Sequence, residues 1–139
     1  MITLADYWMG RDADYEHALT EAIRMNARET VGRANALLAM VEDDALAIEI
    51  NPRTESPVNS GWRPPEINAG TPGAAPRSKH MSGQAVDLYD PDGLLDDWCM
   101  DHQEQLGEVG LWLEHPGSTK GWCHVQTVPP RSGHRVFYP

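Results

Sequence analysis

The sequence predicts an α+β fold, with a small antiparallel sheet carrying a chemical site and helices packed on its other face. Three observations lead there. Segments 13–42 and 92–107 repeat apolar residues at helical spacings, so each carries one buried stripe. Segments 45–50, 84–89, 109–114 and 122–127 are short and rich in alternating or β-branched residues, as strands are. Between the first and second of these lies an irregular stretch, 51–82, holding six of the 11 prolines. A loop that long in a compact domain is unusual unless it builds a site. The 139 residues suffice for one domain with one core, read as a helical part (1–44) followed by the sheet (45–139), and leave no room for a second.

Taken in order, Tyr15, Ala18, Leu19, Ala22 and Ile23, then Val31, Ala34, Leu37, Leu38 and Val41, form the first stripe. Asp12 or Asp14 is placed to cap its start, and Arg28–Thr30 can break it into two helices. We expect this part to be a packing scaffold. Ala45–Ile50 reads as a strand. Gln84–Tyr89 reads as a second, and Asp92–Gly107 as a helix with Asp92 at its N-cap and Gly107 as its stop. Val109–Glu114 and Trp122–Thr127 read as strands joined by the turn-rich HPGSTKG, and the tail PPRSGHRVFYP as a turn before a last short strand.

Charge narrows the function. A formal net charge of −10 argues against gripping nucleic acid by its phosphates and against docking on anionic lipid. No stretch approaches the ~20 apolar residues of a membrane span. The start, MITLADYWMGRD, lacks the basic and apolar regions of a secretory signal, so the chain is expected to begin in the cytoplasm. Cys99 and Cys123 make neither a disulfide framework nor a CxxC metal pair.

Strand alternation selects the chemistry. Asp87 shares a face with the small Ala85, while Val86 and Leu88 point to the other. In the last long strand Cys123 and Val125 lie on one face, and Trp122, His124 and Gln126 on the opposite one. With the apolar faces in the core, Asp87 and His124 face a cleft and Cys123 is a small buried hydrophobe. His80 lies seven residues before Asp87, and Gly83 between them permits a close backbone approach. Two imidazoles and one carboxylate suit a catalytic zinc ion, leaving a fourth position for water. Glu114, ending the preceding strand, is a candidate proton acceptor, and the adjacent His115 a candidate proton shuttle. Arg63, between a Gly-Trp pair and two prolines, is placed to bind a substrate carboxylate or a developing oxyanion.

These segments resemble a known family. SKHMSGQAVDL is similar to the SxHxxGxAxD motif of zinc D-alanyl-D-alanine carboxypeptidases and dipeptidases, a group that includes phage L-alanyl-D-glutamate endolysins, lysostaphin-type endopeptidases and the hedgehog signalling domain. WCHVQ resembles the segment carrying their third ligand, and SGWRPPEIN the SGYRSPxxN segment before the first motif. The resemblance covers about 45–127, and the N-terminal part most resembles small phage-encoded members. It implies the hedgehog/D,D-peptidase fold and one zinc ion held by His80, Asp87 and His124. It also implies a carboxylate or oxyanion role for Arg63, with Ser78 and Gln84 supporting the site; Trp122 joins them as a substrate-side residue. The implied substrate is the stem peptide of peptidoglycan, cleaved at or beside a D-amino acid by a monomeric enzyme made without a signal and brought to the bacterial wall by a phage. Many carboxypeptidases place the catalytic acid three residues before the third ligand, and lysostaphin-like members a histidine two before it. Gly121 and Trp122 stand there instead, whereas Glu114 resembles the hedgehog-type placement. A zinc-binding module of the same fold without catalysis is the alternative.

Overall fold

The computed structural model describes residues 1–139 as an α+β fold built on a five-stranded sheet. Helix α1 (Leu4–Trp8) opens with a capping box, in which Thr3 and Asp6 satisfy each other's backbone N–H groups. A short α2 (Arg11–Asp14) and a 3-10 turn (Glu16–Ala18) follow, then the long α3 (Glu21–Asp43). The expected cap at Asp12 or Asp14 is corrected to Thr20, whose Oγ1 accepts from Ile23 N at 3.2 Å. Tyr15, Ala18 and Leu19 pack on the core from the turns before α3, which is why their spacing looked helical. The expected break at Arg28–Thr30 is absent: Thr30 is buried and its hydroxyl donates to Gly83 O at 2.7 Å, tying the middle of α3 to the loop before the sheet.

Residues 45–50 are not a strand. Ala45 turns the chain off the helix end at a left-handed φ of 62°, and Leu46 and Ile48 then pack on the core without strand pairing. The first strand lies inside the irregular stretch instead, as β1 (Val58–Ser60), followed by α4 (Pro65–Ala69). β1 pairs with β2 (Ala85–Asp90) through a register shift, so it never shows a clean alternation.

The second helical segment is two helices, α5 (Leu94–Asp101) and α6 (Gln103–Val109), divided at His102, whose φ of −128° leaves the helical region. Asp92 is not the cap. Asp90 does that work from the end of β2, its carboxylate accepting from Leu95 N at 3.0 Å and Asp96 N at 2.9 Å. The stop is Gly110, left-handed at φ 71°, rather than Gly107, which sits within α6. Strands β3 (Trp112–Glu114), β4 (Gly121–Gln126) and β5 (Val136–Phe137) complete the order β1-β2-β4-β3-β5. Because β5 runs parallel to β3, the sheet is mixed and not wholly antiparallel as expected.

One cluster of 21 buried residues forms the core. Val86, Leu88, Leu113, Cys123 and Val125 enter it from the sheet. Ala27, Val31, Leu37, Leu38, Trp98, Cys99 and Leu106 meet them from the helices. Both cysteines are free and buried. No helix is long and apolar enough to cross a membrane.

Candidate metal centre

The opposite face of the sheet is polar. β2 and β4 pair so that Asp87 lies directly across from His124, while Leu88 faces Cys123 in the core. His80 arrives from the loop before β2. The ligand atoms of His80, Asp87 and His124 all lie within 4.8 Å of one another, and the three residues are buried, so this group can bind a metal ion.

The hydrogen bonds behind these side chains decide what they present. His80 Nδ1 is 2.8 Å from Gly61 O. A carbonyl only accepts, so Nδ1 carries the proton and Nε2 is a bare lone pair. That Nε2 is buried without a hydrogen-bond partner and lies 3.2 Å from Asp87 Oδ1. The amide of Gln126 donates to Val128 O at 2.9 Å, which turns its Oε1 toward His124 Nε2 at 3.1 Å. His124 therefore donates from Nε2 and offers Nδ1, 2.8 Å from the same Asp87 oxygen. Three electron-rich atoms converge on one point, which costs free energy unless a cation stands between them.

Electrostatics agree. Burial lowers the pKa of His80, outweighing the pull of Asp87, so His80 is neutral. Burial also works against a charged His124, but there the Asp87 carboxylate prevails and the pKa rises. In the absence of a metal, Asp87 thus draws a proton to the point where a metal would bind. Burial opposes the charge on Asp87 too, yet the two imidazoles hold it well below the usual carboxylate range.

Glycine makes the approach possible at two places. A Cβ on Gly61 would lie 2.0 Å from Tyr7 O, so only glycine lets the chain pass α1 and present its carbonyl to His80. Gly83 has φ +76°, and a Cβ there would meet Ile23 O of α3 at 2.9 Å.

A cleft of about 460 Å3 opens over the three ligands. Arg63, Ser78, Glu114 and Trp122 line it with them, so seven of the nine residues anticipated from sequence are brought together. Glu114 continues the β3–β4 register, in which Trp112 faces Gln126 and Leu113 faces Val125, and so comes alongside His124. Burial raises its pKa, His124 and Arg63 pull it back, and Asp87 adds to the rise. Arg63 donates from its backbone to His80 O at 3.1 Å and from Nη2 to Ser78 Oγ at 3.0 Å, while its buried Nε has no partner. Ser78 thereby fixes Arg63, and its oxygen also accepts from His80 N at 3.3 Å.

Two anticipated residues stand outside the cleft lining. Gln84 accepts from Ser82 Oγ at 2.7 Å and steadies the loop between His80 and β2. His115 Nδ1 accepts from Gly117 N at 3.0 Å, and its ring stacks on Tyr138, 4.5 Å between centroids. Sequence reasoning missed the role of Gln126 in fixing the His124 tautomer, although its place on the His124 face was the available signal. It also missed Arg11 and Arg53, which line the same cleft and carried no motif. An apolar cavity beside Leu38, Leu88 and Leu95 has about 20 Å3, room for about one water, and is no rival site.

Fold and site together define an α+β protein with a buried two-histidine, one-aspartate group competent to hold a metal ion at the floor of an open cleft. Compared with protein-family models, curated proteins and solved structures, the chain matches none.

Proposed function

We propose that the chain is a zinc-dependent peptidase of the hedgehog/D,D-peptidase fold that hydrolyses peptide bonds at or beside D-amino acids in peptidoglycan stem peptides. The observation that carries the reading is the convergence of three ligand atoms, His80 Nε2, Asp87 Oδ1 and His124 Nδ1, beneath a cleft. The donor set is two imidazoles and one carboxylate, the composition of catalytic zinc sites with an open position. The resemblance of SKHMSGQAVDL, WCHVQ and SGWRPPEIN to the motifs of that family supplies the substrate class.

Zinc, when bound, supplies Lewis-acid polarisation of the scissile carbonyl and activation of water. The chain supplies the rest. Glu114 takes the proton of the attacking water and returns it to the leaving amine; a carboxylate raised by burial is suited to both tasks. Arg63, held by Ser78 with Nε unpaired, binds the substrate carboxylate or the developing oxyanion. Trp122 forms one wall of the cleft. A phage-borne enzyme acting on the wall after release, or as part of the virion, is the setting this reading implies.

A non-catalytic zinc module of the same fold is the second reading. Gly121 and Trp122, which cannot transfer protons, stand where other members of the resembled family carry their acid. Digestion of purified peptidoglycan followed by mass spectrometry separates the two. We expect zinc-loaded protein to release D-alanine or split stem peptides, and Glu114→Gln to lower the rate by about 10²–10⁴-fold with zinc still bound. Loss of a single D-alanine marks a carboxypeptidase, and split stems or cross-links an endopeptidase. Wall material of several chemotypes left intact by zinc-loaded protein that still binds muropeptide would leave the module as the better reading.

A further inference from the structure

We propose that Arg11 and Arg53 form, together with Arg63, an anion-binding subsite along the cleft, so that the ligand is an acidic peptide presenting two carboxylates. The inference deepens the peptidase reading and rests on it for the word peptide; the subsite itself rests on charge and geometry. The chain has 21 acidic and 11 basic residues. Two of the nine arginines pair with carboxylates, Arg28 with Glu21 and Arg33 with Glu29, both on α3. The three cleft arginines do not. None of them lies within 4.0 Å of a carboxylate oxygen.

They are held by neutral acceptors instead. Arg11, on α2, donates from Nη1 to Trp62 O at 2.8 Å. Arg53, in the turn before β1, donates from Nη2 to Asn59 O at 3.2 Å. Arg63, after β1, is fixed by Ser78 and keeps its buried Nε unpaired. Three separate segments therefore bring three guanidinium groups to one cleft, positioned but not neutralised. Their mutual repulsion is felt: burial lowers the pKa of Arg11 most, and Arg63 and then Arg53 lower it further. Clustered like charges with free N–H donors gain from an incoming anion, and the guanidinium fork matches a carboxylate with two parallel hydrogen bonds. Arg63, on which the charges of Asp87 and Glu114 act, takes the group beside the reacting bond, and Arg11 with Arg53 take a second carboxylate further along.

Isothermal titration of zinc-loaded protein tests this without turnover. The ligands are acetyl-Ala-Glu-Ala, with two carboxylates, its neutral analogue acetyl-Ala-Gln-Ala-amide, and inorganic phosphate. We expect the dicarboxylate to bind at least ~10-fold tighter than the neutral peptide, a margin of about 1.4 kcal/mol. Arg53→Gln alone, and Arg11→Gln with Arg53→Gln, should remove most of that preference, with Arg53→Lys keeping part of it; zinc content and Tm should hold for Arg53→Gln. Equal affinity for the two peptides, a preference that survives Arg53→Gln and the double change, or tighter binding of phosphate than of the dicarboxylate would overturn the subsite. A protein that shows the preference but leaves every wall preparation intact would instead contradict the peptidase reading and keep the subsite.

Discussion

The two faces of the β2–β4 ladder sit one residue apart and follow opposite rules. Leu88 opposite Cys123, and Val86 opposite Val125, are packed among the helices, where every added contact stabilises. Asp87 opposite His124, between those two pairs, is also buried, though less completely, among ring nitrogens that need a proton or a metal cation to meet its charge. The difference separates what makes the chain fold from what the fold is for. The apolar face holds the sheet, and the polar face spends part of that stability to keep three ligand atoms buried and aligned.

That separation can be broken in either direction. The largest effect is expected from Asp87→Ala or His124→Ala: zinc affinity should fall at least ~1,000-fold, about 4 kcal/mol, in competition with a chromophoric chelator, while the metal-free protein stays folded by circular dichroism. A metal-free protein that collapses on losing Asp87 would mean that the polar face also holds the fold. On the other face, Leu88→Ala should cost about 2–5 kcal/mol of stability in denaturant titration and leave zinc affinity unchanged. A weakened site with unchanged stability would reverse the assignment of the faces.

A subtler change sharpens the comparison. Gln126→Leu removes the acceptor that fixes the His124 tautomer but touches no ligand atom. It should weaken zinc about 10–100-fold with little change in Tm. Affinity equal to wild type would show that His124 orients itself without Gln126.

The smallest effect belongs to Asp96, a carboxyl buried on the helix side of the sheet, where Thr119 donates to one oxygen and the other has no partner. Burial raises its pKa from 3.8 to about 6. The fold therefore favours the neutral form: the stability linked to it is full below about pH 4 and is lost as pH rises through about 6. Asp96→Asn should flatten that slope and stabilise the protein at pH 7 by on the order of 1–2 kcal/mol. An unchanged slope of stability against pH over that interval would assign it to other groups.

The polar face was largely legible in the sequence, because alternation in AVDLYD and GWCHVQ fixes which side chains share a side. The helix stripe of 31–41 was legible for the same reason. What hid was structure too short to show its own pattern twice. β1 has three residues and a register shift, so no alternation can show, whereas ALAIEI alternates well but begins at the left-handed Ala45 and finds no partner strand. The Asp92 cap misled because the carboxylate that reaches the N-terminus of α5 comes from Asp90, on the strand before the turn. Arg11 and Arg53 were invisible because only folding brings α2 and the turn before β1 to one cleft.

Zinc titration of metal-free protein, followed at once by calorimetry and by thermal melting, addresses the metal centre itself. One equivalent should bind, and Tm should rise with free zinc as expected for a ligand of the folded state alone, about 4 kcal/mol of stabilisation at 1,000 times Kd. His80→Ala should abolish both signals. Binding that is absent or substoichiometric, or a Tm indifferent to zinc in wild type and His80→Ala alike, would contradict the assignment of His80, Asp87 and His124 as metal ligands.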